Sequence, residues 1–166
     1  METMPHDHSG SDATPEVANR GMARPPLVYG AAMVTGVFLE LSWPLPFLPR
    51  LLAALLGSVL VVVAVVVFSY AIRTFQTAGT PVPGNKPTTV LVRTGPYRFS
   101  RNPIYVAFSL LQLGIAAWAD SVWLLATLAG AVSVMALVVI PREERYMARK
   151  FGDRYLEYKR RVRRWV

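Results

Sequence analysis

A chain of 166 residues that is 53% hydrophobic and 17% charged, with a mean hydropathy of +0.35, is too apolar for an ordinary soluble domain. Its formal charge of +8 comes from 18 Lys and Arg against 10 Asp and Glu, and because the basic residues sit beside apolar runs the anionic surface they suit is lipid, with no nucleic acid expected. The absence of cysteine excludes disulfides, thiolate metal sites and a cysteine nucleophile.

Residues 1–25 hold Glu2, His6, His8, Asp12 and Glu16 among scattered Ser, Pro and Gly, without the basic start and apolar core of a cleavable signal. They predict a disordered cytosolic tail in which the two histidines are solvated, and no metal site is expected. Residues 26–166 then read as one membrane domain with four apolar stretches, roughly 27–43, 51–72, 103–119 and 122–140. A bilayer core of about 30 Å needs about 20 helical residues, so each is a candidate span. Only Asp120 and Ser121 separate the last two, which predicts a tight helical hairpin flanked by Trp118 and Trp123 at the interface.

Orientation follows from Lys and Arg, which favour short cytoplasmic loops. Arg50 alone lies between the first two spans, whereas Arg73, Lys86, Arg93, Arg98 and Arg101 lie between the second and third and ten more follow Pro141. The expected arrangement is multi-pass in a bacterial inner membrane with both termini cytoplasmic. Glu40 is an intramembrane acid near the Trp43-Pro44 end, open either to snorkelling or to a functional reading.

Past the second span, residues 74–87 carry enough Pro and Gly to forbid a continuous helix, which predicts a loop. Thr89, Val90, Leu91 and Val92 follow as a short β-branched run, then Gly95-Pro96-Tyr97-Arg98 and Arg101-Asn102-Pro103-Ile104-Tyr105, with Pro103 suited to the first turn of a helix. After the fourth span come the acids Glu143 and Glu144. Beyond them, Phe151, Tyr155, Tyr158, Val162 and Trp165 recur at steps of four and three opposite Arg154, Lys159, Arg160, Arg161, Arg163 and Arg164. That spacing predicts an amphipathic helix suited to an anionic leaflet, although a generic basic tail explains the charges equally. The fold class is thus all-α integral membrane, with about four transmembrane helices, a cytosolic loop and an amphipathic C-terminal helix.

The ordered set Gly-x-Tyr-Arg, Arg-x-Pro-x-Tyr, helical hairpin, Glu-Glu and Phe-Gly-x-x-Tyr-x-x-Tyr, running from about Thr89 to Val162, resembles the isoprenylcysteine carboxyl methyltransferase family and its phospholipid methyltransferase-like relatives. The resemblance implies S-adenosylmethionine as cofactor, S-adenosylhomocysteine as product, and a cofactor region over 89–105 and 141–158. By motif, cofactor-binding roles fall on Thr89, Val90, Leu91, Val92, Tyr97, Asn102, Pro103, Ile104, Tyr105 and Glu143, the last holding the amino group. Asn102 stands where the family has His, and its amide could hold the cofactor carboxylate. Val139 stands where the family tends to place an Arg near the reacting group, so Arg142 or Arg145 is the candidate to replace it, and Glu144 is the nearest proton acceptor for an amine or phenol. The implied acceptor is lipophilic, an isoprenyl-cysteine-like carboxylate or another lipid. A membrane reductase using a nicotinamide cofactor and a non-catalytic four-span protein are the alternative readings.

Overall fold

The structure, a computed structural model, describes residues 24–81 and 89–166. Most of the expected tail, with His6 and His8, and the middle of the Pro/Gly loop at 82–88 lie outside the described residues. Helix α1 (Pro25–Ser42) begins on a proline, whose missing N–H is not needed in a first turn. Helix α2 (Arg50–Thr77) is 28 residues long. A 3₁₀ turn at Gly95–Arg98 leads to α3 (Pro103–Trp118), and Pro103 does open that helix. Then come α4 (Val122–Val134), a π-helical turn at Met135–Val139, α5 (Ile140–Phe151) and α6 (Asp153–Arg161). By length and composition α1, α2 and the continuous run Val122–Phe151 are able to cross a membrane, and α3 is a shorter apolar helix of 16 residues.

Three boundaries differ from the sequence reading. Helix α2 continues through Thr74–Thr77, which the loop assignment had included, because the first real breaker is Gly79 at φ +64°. The fourth span does not stop at Ile140. Pro141 removes a helical N–H, and the wider π turn just before it lets the helix absorb that loss and run on to Phe151. Its charge-free part is 122–140, and the charged turns of α5 lie past it. Thirdly, the stretch 151–165 expected as one amphipathic helix is not continuous: Phe151 ends α5, α6 begins beyond Gly152, and Val162 and Trp165 lie past the end of α6. The run 89–92 forms no strand and bends at Val90.

Packing pairs α2 with α3 and α1 with α4, while α3 and α4 pack as the predicted hairpin. Small residues let backbones approach: Ala53, Gly57, Ala64 and Ala71 are the buried face of α2. A methyl group on Gly57 would run into the ring of Trp118, whose Nε1 donates to Ala54 O and Ser58 Oγ, both at 3.2 Å. Phe108 on α3 lies 5.5 Å from Tyr29 of α1 and 5.7 Å from Phe68 of α2. Outward faces such as Val34, Phe38 and Leu41 of α1 and Leu55, Val59 and Val62 of α2 stay exposed, as lipid contact requires.

One end of the bundle is closed by a polar latch. Asp120, in the hairpin turn at φ +48°, accepts from Phe47 N at 2.7 Å and Leu48 N at 2.6 Å. Ser121 caps α4 through Leu124 N and donates to Glu40 Oε2 at 2.6 Å, while Trp123 Nε1 donates to Trp43 O at 2.7 Å. Glu40 therefore has a structural partner at the end remote from the motif residues.

Candidate functional site

The opposite end gathers the motif residues. Helix α3 presents Tyr105 in its first turn, and α5 presents Glu143 in its first turn. Tyr105 Oη donates to Glu143 Oε1 at 2.6 Å, so the stretch ahead of α3 and the acidic pair beyond α4 meet at one end of the bundle. Beneath them Tyr29, Tyr105, Met135, Val139 and Ile140 form one buried cluster, and Tyr29 Oη shares a 2.7 Å hydrogen bond with Ser109 Oγ. Val139, where the resemblance leads one to look for an Arg, is thus core.

The wall ahead of α3 is built on α2. Gly95 adopts φ +59°, and any Cβ there would press on Thr74, so only glycine passes the chain over the end of α2. This places Tyr97 edge-on to Phe75 with centroids 5.0 Å apart, in a cluster with Ala71 and Val92. Tyr97 is buried, and its hydroxyl has no hydrogen-bond partner among the described residues. Burial pushes that hydroxyl above the ordinary tyrosine range. Thr89 is anchored by its N–H and hydroxyl to Thr80 Oγ1, each at 3.0 Å, whereas Val90 is exposed and Leu91 half-buried. Pro103 is buried and Ile104 packs against both apolar clusters.

The two neighbouring carboxylates differ in environment. Burial drives the pKa of Glu143 upward, against the hydrogen bond from Tyr105, and the charge of Glu144 adds to the rise, which takes it to about 7. Glu144 also feels burial, but hydrogen bonds from Arg164 and Lys159 and the charge of Arg101 outweigh it and hold its carboxyl below the ordinary value. Its oxygens meet Arg164 Nε at 3.1 Å and Nη2 at 3.2 Å, Lys159 Nζ at 3.0 Å and Arg101 Nη1 at 3.2 Å. Arg142 and Arg145 are exposed on α5 and pair with no acid among the described residues.

Residues beyond the sequence motifs complete this end. The segment after α6 returns across the mouth: Arg101 N donates to Arg163 O at 3.0 Å, and Asn102 Nδ2 donates to Arg164 O at 3.0 Å. The amide of Asn102 is therefore engaged with the chain itself. Tyr158 Oη donates to Tyr97 O at 2.8 Å, and Tyr155 and Tyr158 are buried, so the aromatic face expected to rest on a leaflet packs on the protein. Arg101, Lys159 and Arg164 were legible as charges but not as partners of Glu144, since nothing in their spacing announces it.

Fold and site together define a helical membrane protein with one polar, aromatic-lined end where the Tyr105 hydroxyl meets the Glu143 carboxylate. A family model described as phospholipid methyltransferase matches residues 52–154, from early α2 to the start of α6, and the chain belongs to that family. Among characterised and uncharacterised relatives, it is 40% identical over 81 residues to the cobalt-zinc-cadmium resistance protein CzcN of Cupriavidus metallidurans, covering 49% of this chain and 37% of that protein. It is 38% identical over 75 residues to the nickel-cobalt-cadmium resistance protein NccN of Alcaligenes xylosoxydans xylosoxydans, covering 45% and 35%. An uncharacterized protein of Haemophilus influenzae is 44% identical over an alignment of 69 residues that covers 38% of this chain and the whole of that protein. The chain spans little more than a third of the length of the two resistance proteins it matches.

Proposed function

We propose that this protein is a membrane methyltransferase that takes its methyl group from S-adenosylmethionine and passes it to a lipophilic acceptor, an isoprenyl-cysteine-like carboxylate or another lipid. The observation that carries the reading is the Tyr105–Glu143 hydrogen bond, which joins the two motif segments at one end of a bundle able to span lipid. The donor set fits the cofactor. Glu143 offers a carboxylate for an ammonium, the unpartnered Tyr97 hydroxyl offers a buried polar contact, and the Tyr97 and Tyr105 rings offer faces that suit a sulfonium. Thr89, Val90, Leu91 and Val92, with Pro103 and Ile104, supply the backbone and apolar surface an adenine slot needs.

When bound, the cofactor supplies an electrophilic methyl carbon, so no dedicated base is required for an ionised carboxylate acceptor. The residues of this chain position, exclude water and balance charge. We assign Arg142, exposed in the first turn of α5 one residue before Glu143, to hold an anionic acceptor. Three cations on Glu144 support a positioning role for it more than proton acceptance. Cytoplasmic termini in a bacterial inner membrane would place this end beside the soluble cofactor pool.

Calorimetry on detergent-purified protein tests the reading. Binding of S-adenosylhomocysteine and none of a nicotinamide dinucleotide is expected, followed by label transfer from S-adenosylmethionine into a lipid extract. Binding of the dinucleotide alone would replace this reading with the reductase, and binding of neither would favour a non-catalytic protein.

A further inference from the structure

The side chain of Arg164 grips the chain on both sides of Pro141. At the end of the π turn, Ile140 N–H donates to Met135 O, so Ala136 O loses its α-helical donor, and the donor that a π turn would offer it next is Pro141, which has no N–H. Arg164 Nη1 donates to this stranded carbonyl at 3.5 Å. Its other two nitrogens hold Glu144 beyond the proline, Nε to Oε1 at 3.1 Å and Nη2 to Oε2 at 3.2 Å. All three nitrogens of one planar group are therefore used, and they splint a helix where its own backbone ladder is broken. Lys159 and Arg101 reach Glu144 as well, each through one nitrogen, but the contact with Ala136 belongs to Arg164.

The same residue also holds α3. Its carbonyl accepts from Asn102 Nδ2 at 3.0 Å and from Ser100 Oγ at 3.4 Å, and Asn102 is the residue on which α3 starts. Trp165, next in sequence, packs on the buried cluster that includes Tyr105, Met135 and Val139, which fixes the segment in place. We infer that Arg164 is a positioning residue for the Tyr105–Glu143 pair: by fastening the start of α3 to both the π turn and α5, it sets how the two side chains meet. Tyr105 stands three residues after Asn102, and Glu143 stands one before Glu144, so a shift of either helix breaks a contact of Arg164. Lysine cannot replace it, because a single ammonium nitrogen cannot span the Ala136 carbonyl and both oxygens of Glu144 as a planar fork does. That the pair serves a methyl donor rests on the function proposed above, whereas the positioning concerns this chain alone.

Thermal unfolding of the full chain in one detergent, without ligand, measures the pair as the fall in melting temperature caused by Tyr105→Phe. In an Arg164→Lys background that fall is expected to be less than half of its wild-type value, because a misaligned hydroxyl has little left to lose. An equal fall in both backgrounds, or no fall in wild type, overturns the inference and leaves Arg164 as one more cation on Glu144. If Arg164→Lys does not fold, Asn102→Ala, which cuts only the carbonyl arm, takes its place with the same expected and overturning results. Calorimetry with S-adenosylhomocysteine on the folded Arg164→Lys protein then tests the link to function, and about fivefold weaker binding is expected, the scale of one lost hydrogen bond. Unchanged affinity in a variant that has lost the coupling would remove the pair from the ligand site and count against the proposed function, while the positioning role stands.

Discussion

Tyr105 on α3 and Glu143 on α5, 38 residues apart in sequence, meet through a single hydrogen bond of 2.6 Å that ties the first turn of one helix to the first turn of another. Replacing Tyr105 with Phe removes this donor and leaves the ring. Binding of S-adenosylhomocysteine, measured by calorimetry, is expected to weaken by about 1 kcal/mol, the usual worth of one hydrogen bond, and by about 1.5 to 3 kcal/mol in Glu143→Ala, where a charged partner is lost. Unchanged affinity in Glu143→Ala would remove that residue from the site.

On the proposed function, in which Glu143 holds the ligand's ammonium, the raised pKa of Glu143, about 7, predicts a pH dependence of binding. Below pH 7 the carboxyl is protonated in the free protein, so binding an ammonium must first expel a proton and affinity falls about tenfold per unit of pH. Isothermal titrations from about pH 5.5 to about pH 8 should show affinity rising to a plateau, and Glu143→Gln should flatten that rise. The same shift acts on folding in the opposite sense. A carboxyl raised in the native state favours folding at low pH, and that advantage is lost as pH rises from 4.5 to about 7.

Glu144 is the hub of this end, and its removal strands three cations. Glu144→Ala should destabilise the protein by about 3 kcal/mol, the scale for breaking a buried pair from one side. Arg164→Ala, at a side chain about a third exposed, should have a smaller effect. Thermal unfolding in a fixed detergent measures both, and a Glu144→Ala protein as stable as wild type would contradict the clamp.

At the remote end Asp120 both occupies a positive φ and accepts from two backbone N–H groups. Asp120→Asn retains an acceptor and tolerates that backbone, so a loss of under about 1 kcal/mol is expected. Asp120→Ala forfeits both, and about 2 to 3 kcal/mol should disappear from the unfolding free energy. The ranking of the two variants in one melting series is the check.

Much of this architecture can be read from composition. Runs without charge, such as Val59–Val67, declare themselves as spans, and Asp120-Ser121 between two such runs declares a hairpin. Helix ends were less legible because a tertiary accommodation decides them: Pro141 looks like a stop until the π turn at Met135–Val139 is seen to absorb it. Thr74–Thr77 looked like loop because Pro and Gly follow closely, but a helix supported by packing persists until the first residue that cannot continue it. At the candidate site Tyr97, Tyr105 and Glu143 were marked by their motif. The partners of Asn102 and Tyr158 were not, because both are backbone carbonyls, at Arg164 and Tyr97, and a carbonyl carries no signature in the side-chain alphabet. The burial of Tyr155 and Tyr158 escaped for a related reason, since an aromatic stripe reads the same whether lipid or protein covers it.

The return of residues 162–166 across the mouth of the bundle has a bearing on biogenesis. Asn102 and Tyr97 find their partners 62 and 61 residues further along the chain. All four apolar helices can therefore enter the bilayer before the rim at this end exists, and the rim closes only once that late segment has emerged from the ribosome. Nascent chains arrested short of it would be inserted with this end still open.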